Sequence, residues 1–243
     1  MLKEWIKKYD NIVFFGGAGA STESGIPDFR SVDGLYNQKY DYPPEVILSH
    51  TFFMNNTEEF YKFYRDKMIF PDVLPNLLHT SLYELEKREK LKAIVTQNID
   101  GLHQLAGSKN VFELHGSVHR NYCMNCKTFY GLDKIINSTG IPRCDKCGGI
   151  VKPDVVLYEE GLDNDIVEGA VKAIQNAQLL IVGGTSLTVY PAAGLIRYFG
   201  GEKLVLINKT PTEYDRTADL VIHDALGKTM SEAIKGGSYE GTA

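Results

Sequence analysis

The stretch Ile12-Val13-Phe14-Phe15-Gly16-Gly17-Ala18-Gly19-Ala20-Ser21-Thr22-Glu23-Ser24-Gly25-Ile26-Pro27-Asp28-Phe29-Arg30 decides the fold class. An apolar strand, Ile12 to Phe15, runs into glycines at 16, 17 and 19. Glycine lets a backbone turn tightly and approach a ligand with no Cβ in the way. Ser21, Thr22 and Ser24 follow, residues that cap a helix whose first amides attract phosphate. Two readings stand at this point: a dinucleotide pyrophosphate cradle, or a plain strand-to-helix turn. Gly17-x-Gly19-x-x-Thr22 lacks the third glycine of the usual dinucleotide fingerprint, and no acidic residue ends a second strand about 20 residues on. Pro27-Asp28-Phe29-Arg30 then breaks the helical signal. It places a ring able to exclude water and a cation able to hold a carboxylate or phosphate just beyond the turn.

Working outward, apolar strands alternate with helices. Lys92–Thr96, Val111–Leu114, Leu179–Val182, Lys203–Ile207 and Leu220–Ile222 read as further strands, and the run at 179–182 has the continuous apolar character of a parallel sheet. Residues 79–88, 163–178 and a segment ending near 234 read as amphipathic helices. Residues 45–70 read as helical, with an aromatic stripe of Phe52, Phe53, Phe60, Phe63, Tyr64 and Met68 that suits a core. Lys152–Tyr158 reads as a return to the main sheet. The pattern predicts a doubly wound parallel α/β sheet, Rossmann-like, with a smaller inserted unit. Polar or small groups end its strands on one edge: Gln97-Asn98-Ile99-Asp100, His115-Gly116, Gly184-Thr185-Ser186 and Asn208-Lys209. Most of the six histidines read as structural, but His115 ends a strand before a glycine and is a candidate for catalysis.

Cys123-x-x-Cys126 and Cys144-x-x-Cys147 form two matched knuckles inside a Gly-containing segment. That spacing fits a closed four-thiolate zinc site, structural rather than catalytic because no coordination position stays open. The chain of 243 residues carries 31 acidic against 26 basic side chains, a net charge of −5, which argues against a nucleic-acid partner held on a basic face. No apolar run reaches the ~18 residues of a membrane span, and the Met1–Tyr9 stretch lacks the apolar core of a signal peptide. A cytoplasmic protein is expected.

These motifs, in this order, resemble the sirtuins, NAD-dependent protein-lysine deacylases, of bacterial type. The resemblance rests on Gly-Ala-Gly-x-Ser at 17–21, Pro-Asp-Phe-Arg at 27–30, Thr-Gln-Asn-Ile-Asp-Gly-Leu-His at 96–103 and Leu-His-Gly at 114–116. It continues through the cysteine knuckles, Lys-Pro-Asp-Val-Val at 152–156, Gly-Thr-Ser at 184–186 and Ile-Asn-Lys at 207–209, and covers nearly the whole chain. It implies that an acyl-lysine amide oxygen attacks the ribose of NAD, expelling nicotinamide. His115 then serves as general base, and the acyl group ends on ADP-ribose. It implies that Asn98 and Asp100 surround the nicotinamide and its ribose, that Phe29 covers the reaction centre and that Arg30 lies near the phosphates. Ala18, Gly19, Thr22, Gln97, Ile99, Thr185, Ser186, Asn208 and Asp224 fall at its cofactor-contact positions. The implied layout is an NAD-binding domain from 1–31, 77–117 and 150–235, a helical and loop insertion at 32–76, a zinc ribbon at 118–149 and a flexible tail at 236–243. Its partners would be acetylated lysine segments of other proteins, met by a monomer.

The chain departs from the family at Gly16, where Thr is common, at Ala20, and at Glu159, where the family ordinarily has Gly. Tyr-x-x-Arg, which binds acidic acyl chains in desuccinylase-type sirtuins, is represented by Tyr64-Arg65-Asp66-Lys67. Lys lacks the bidentate fork of Arg, so simple acetyl-lysine is favoured. The rival readings are a mono-ADP-ribosyltransferase on the same scaffold, a non-enzymatic zinc module and a dinucleotide oxidoreductase.

Overall fold

A computed structural model describes residues 1–29, 34 and 42–235. Arg30, most of the expected loop to Tyr42 and the expected tail at 236–243 lie outside the described residues. The strands are β1 (Ile12–Gly16), β2 (Leu91–Thr96), β3 (Val111–Glu113), β4 (Gly116–Cys123), β5 (Phe129–Tyr130), β6 (Val151–Val155), β7 (Leu179–Gly183), β8 (Lys203–Ile207) and β9 (Leu220–Ile222). The helices are α1 (Leu2–Lys8), α2 (Pro44–Ile47), α3 (His50–Asn55), α4 (Thr57–Lys67), α5 (Leu77–Lys87), α6 (Leu102–Leu105), α7 (Leu132–Ile136), α8 (Asn164–Asn176) and α9 (Leu226–Lys235).

Six strands form a parallel sheet in the order β3-β2-β1-β7-β8-β9. The chain winds outward from β1 in one direction, then crosses to β7 and winds in the other. This is the doubly wound order of dinucleotide-binding folds, with its switch point between β1 and β7. Every residue of β1 and β7 is buried, as a central parallel strand requires. Successive side chains point to opposite faces. Ile12, Phe14, Ile94, Ile181 and Ile207 meet α1, α5 and α9 on one face. Val13, Phe15, Val95, Leu180 and Val182 meet α8 and the 3-10 segment Ala192–Tyr198 on the other.

The helices start where the side chains permit. Asp163 caps α8 by accepting the N–H groups of Asp165 and Ile166, and Ala170 and Ile174 are the buried face. Asn76 caps α5 by accepting the Leu78 N–H, and the Asn76 N–H donates to His79 Nδ1.

A second sheet, β5-β4-β6, is antiparallel. It shares a core with α2, α3 and α4 through Phe53, Phe60, Tyr61, Val118, Ile135 and Val151. The Tyr61 hydroxyl donates to the Val151 carbonyl, tying α4 to β6. Two sequence expectations are corrected here. Lys152–Tyr158 does not return to the main sheet, because Val151–Val155 pairs with β4. Its burial alternates, which suits a sheet covered on one face. The helical stretch at 45–70 is three helices, because Ser49 caps a new start by accepting the Phe52 N–H and the chain bends again at Asn56.

Beneath the first core face, His79 and His103 are fully buried with ring centroids 4.7 Å apart. Burial pushes His79 down to about 4 and His103 well below the usual histidine range. An unfolded histidine binds a proton near pH 6.5, so between ~6.5 and ~4 the unfolded chain holds more protons than the native one. Stability should be full above pH ~6.5 and fall as pH drops towards 4. Denaturant midpoints measured from pH 7.5 to 4.5 should show that slope, and His79→Asn, which keeps an acceptor for the Asn76 N–H, should flatten it.

Candidate active site and metal centre

The parallel register aligns the strand ends: Gly16 lies beside Thr96 and Gly183, and Gly183 beside Ile207. All the polar strand-end loops therefore open on one edge, at the switch point. There the first loop crosses the seventh strand's loop backbone to backbone. The Gly19 N–H donates to the Gly184 carbonyl at 2.8 Å. A Cβ on Gly19 would sit 2.7 Å from Gly184 Cα, and one on Gly17 would sit 2.8 Å from Thr185 Cβ. Residues 18–20 and 22–24 form two 3-10 turns. Ser21 and Thr22, expected as residues that cap a helix, lie instead on this tighter path, and neither 3-10 turn has a side-chain cap bond.

Side chains stitch the loops together. Gln97 Nε2 donates to Thr185 Oγ1 at 3.0 Å, and the Thr185 N–H donates to Asn208 Oδ1 at 3.0 Å. Asn208 Nδ2 and Ser24 Oγ are buried with no hydrogen-bond partner among the described residues. Lying on the strand-end loops, these two, with glycine backbones that admit no Cβ, fit a dinucleotide rich in hydroxyl and phosphate oxygens. Ala18 and Thr22 are half-buried along the same turn, with Thr22 Oγ1 donating to the Gly19 carbonyl at 3.1 Å. Ser186 and Asp224 are exposed; Ser186 bonds Thr188 at 2.8 Å, and Asp224 accepts from the Ala225 N–H and Lys228. Phe29 and Ile99 are half-buried at the margin of the small-sheet core.

Ser21 joins the group in a way the sequence reading missed. It is 1 % exposed and caps no helix. Its hydroxyl donates to Asp100 Oδ2 at 2.6 Å and accepts from Asn98 Nδ2 at 3.0 Å. The other Asp100 oxygen accepts the Leu102 N–H at 2.9 Å. A buried serine thus holds the amide and the carboxylate in one arrangement. Its pairing with residues 77 and 79 positions away leaves no local pattern; the fixed place of serine in Gly-Ala-Gly-x-Ser was the available signal.

His115 ends β3. Its Nδ1 lies 2.9 Å from the Gln97 carbonyl, so Nδ1 carries the proton and the Nε2 lone pair is left for another donor. Burial lowers its pKa below the usual histidine value, and the bond to the Gln97 carbonyl acts in the opposite direction. The backbone around it is pinned. Gly116 has φ +76°, and a Cβ there would lie 1.9 Å from the Asp154 carbonyl oxygen. Val156 N–H donates to the His115 carbonyl at 3.0 Å. Arg120 reaches Glu113 of the main sheet at 2.6 Å and Asp154 of the small sheet at 2.7 Å. His119 bonds the Asp100 carbonyl oxygen through Nε2 at 3.0 Å, a structural contact. Tyr64 is fully buried and stacked on Phe60, and Lys67 pairs with Asp66 at 2.9 Å.

The four cysteine sulfurs all lie within 4.8 Å of one another. Cys123 to Cys147, Cys126 to Cys144 and Cys126 to Cys147 are 3.4, 3.5 and 3.4 Å apart. A disulfide needs about 2.05 Å. A zinc tetrahedron with ~2.3 Å bonds has sulfur–sulfur edges of about 3.8 Å, so the cluster fits zinc. Each knuckle closes the same way: Lys127 and Gly148, both at positive φ, donate backbone N–H groups to the Cys123 and Cys144 carbonyls. The Tyr130 hydroxyl donates to Cys144 Sγ at 3.2 Å. The cluster lies at the far end of β4 from His115, eight residues along a strand whose register is irregular between Ser117 and Asn121, so at most about 26 Å away at ~3.3 Å per residue. Zinc there holds the small sheet together and touches no reacting group. Elemental analysis should give one zinc per chain, and Cys144→Ser should lose metal and solubility together. A metal-free, fully active Cys144→Ser protein would remove zinc from the fold's requirements.

No helix among the described residues is long and apolar enough to cross a membrane. The Sir2 family model matches residues 17–191. An NAD-dependent protein deacetylase of Clostridium acetobutylicum is 66% identical over 236 residues, covering 96% of each chain. A Sir2 protein solved with a deacetylated p53 peptide and 3′-O-acetyl-ADP-ribose superposes with a TM-score of 0.88 at 38% identity, over 97% of this chain and 96% of that one. A Sir2 homologue solved with NAD gives 0.87 at 36% identity, over 96% and 91%. With the doubly wound sheet, the glycine crossing at its switch point and the four-cysteine ribbon, these matches establish that the chain belongs to the Sir2 family.

Proposed function

We propose that this chain is an NAD-dependent protein-lysine deacetylase. It transfers acetyl from acetyl-lysine to the ADP-ribose of NAD, releasing nicotinamide and acetyl-ADP-ribose. The observation that carries the reading is His115, pinned at a strand end with its Nε2 lone pair free and the Ser21–Asn98–Asp100 group on the same sheet edge. NAD, as co-substrate, would supply an anomeric carbon whose bond to nicotinamide breaks as the substrate's amide oxygen bonds to it. That oxygen stays on the ribose, the lysine amine leaves, and one water supplies the carbonyl oxygen of the transferred acetyl group. The residues do the rest. The Cβ-free backbone at Gly17, Gly19 and Gly184 gives the pyrophosphate its room; Thr185, Ser186, Asn208 and Asp224 line the adenosine side.

Asn98 and Asp100, held by Ser21, orient the nicotinamide ribose and stabilise positive charge as it develops there. Phe29 excludes water, and Arg30 balances phosphate charge. His115 takes a proton from a ribose hydroxyl so that the oxygen can accept the acetyl group. The Gln97 carbonyl keeps the required tautomer without a second carboxylate. The acidic chain suits acetylated lysine segments of basic proteins, met by a monomer in the cytoplasm, where the four thiols stay reduced. With Tyr64 packed in the aromatic core and no Arg at 67, acetyl is preferred to succinyl.

Glycosidic cleavage needs a positioned amide oxygen and a stabilised ribosyl cation, but no base at 115. His115→Ala should therefore fold, keep its zinc and bind NAD. Its net deacetylation should fall by about 10²–10⁴-fold. Exchange of labelled nicotinamide into NAD, dependent on acetyl-peptide, should fall far less. Both rates are measured on one preparation, and equal loss would assign His115 to the first step instead.

The pH profile gives a second check. A base must be unprotonated, and burial favours the neutral ring, so wild-type kcat/KM should hold to below pH ~6.5 before its acid limb falls. A limb centred well above 6.5 would contradict this environment for His115.

A further inference from the structure

Beyond β6 the chain forms a rim that the sheet does not hold. Val156 runs beside His115, its N–H donating to the His115 carbonyl, and residues 157–160 lead on from it along the small-sheet side. A lysine carried by another protein reaches His115 only by its side chain, and the backbone that bears it must rest on such a rim. The start of α3 holds this one. Tyr158 N–H donates to the Leu48 carbonyl at 3.0 Å, and His50 N–H to the Tyr158 carbonyl at 2.9 Å. Two successive carboxylates complete the join. Glu160 pairs with His50 Nδ1 at 2.8 Å and Lys152 Nζ at 3.1 Å, and accepts the Leu157 N–H at 2.9 Å. Glu159 accepts the Thr51 N–H at 2.8 Å.

Glu159 differs from its neighbours. Its φ is +75°, a left-handed conformation that costs any residue with a Cβ and that glycine adopts freely. Its carboxylate meets an amide in the first turn of α3, a charge-assisted bond on the favourable end of a helix. A left-handed residue with a Cβ persists only where its surroundings hold it, and the bond from the Thr51 N–H is such a hold. We propose that Glu159 is a positioning residue for the acyl-lysine substrate, fixing the 156–160 rim to α3 before the substrate arrives. This rests on the deacetylase reading. A rim already ordered loses less entropy on binding, so the benefit falls on peptide affinity. The chemistry at His115 and the glycine crossing that receives NAD are made by other residues.

The test compares wild type, E159G and E159Q. Peptide Kd is read by fluorescence anisotropy of an acetyl-lysine peptide, with kcat and KM for the same peptide, KM for NAD, Tm, and hydrogen exchange at the Thr51 amide. E159G removes the carboxylate and relieves the left-handed strain. It should keep Tm and NAD KM near wild type, exchange Thr51 faster and raise peptide Kd and KM at least about fivefold, with kcat within about twofold. E159Q keeps an acceptor and should return peptide Kd to within about twofold of wild type. Unchanged peptide affinity in E159G despite faster Thr51 exchange overturns the proposal. So does a joint fall of Tm, kcat and affinity, which is the pattern of a merely structural contact. Wild-type protein that binds the acetyl-peptide without turning it over defeats the deacetylase reading alone, and the anisotropy then decides Glu159. Wild type that does not bind the peptide overturns both.

Discussion

The approach of two loop backbones at the switch point is the constraint on which the site depends. β1 and β7 are neighbours and end level, and the chain leaves both in the same direction. The two exits have to cross within a hydrogen bond of each other, at Gly19 and Gly184. Side chains cannot fit there, since Gly184 itself is at φ +62° with Ala20 N where its Cβ would be. What remains at the crossing is bare peptide backbone with no Cβ on Gly17, Gly19 or Gly184, which leaves room for a pyrophosphate to approach closely. The 3-10 turns of residues 18–24 follow from the crossing, and they bury Ser21 where it meets Asn98 and Asp100.

His115 depends on a different constraint, the junction of two sheets. It is the last residue before β4, so the chain passes from the parallel sheet to the antiparallel one within two residues. Such a junction would swing freely if only the backbone joined it. Arg120 prevents this by bonding a buried carboxylate on β3 and a partly exposed one on β6, with charge-assisted bonds on both sides. Glu113, 8 % exposed, would be an uncompensated buried charge without it. The imidazole is oriented in turn by a backbone carbonyl of β2's exit loop, so three strands determine where Nε2 points.

Much of this could be read from the sequence because its signals are local. Unbroken apolar runs ending in small residues identify parallel strands, and paired Cys-x-x-Cys knuckles identify a thiolate tetrahedron at any distance from the rest of the fold. His115 stood out because it precedes a glycine at a strand end. The errors have non-local causes. Val151–Val155 carries apolar residues enough for either sheet, and only its pairing with β4 decides the matter. The aromatic run after Pro44 keeps one period through three helices because the breaks at Ser49 and Asn56 come from capping and a bend, not from proline. Ser21 and Arg120 act through partners far along the chain or across it, and a lone serine or arginine has no spacing to reveal that.

The placing of β4 and β6 has a consequence for engineering the molecule. The cysteine ribbon leaves the site at Gly116 and returns at Val155, and those two residues are paired. The segment between them leaves and rejoins the parallel-sheet unit at that one pair, and on its way packs against α3 and α4. Its outer turn, around Ser138 to Gly140, carries Gly140 at positive φ with open space around it. A reporter domain or affinity handle grafted into that turn would leave the Gly116–Val155 pair untouched, provided the Gly140 carbonyl keeps its bond from Arg65 of α4 at 2.5 Å. The same graft made at Gly116 would break the fold, because the carbonyl of Asp154 already occupies the room a side chain would need.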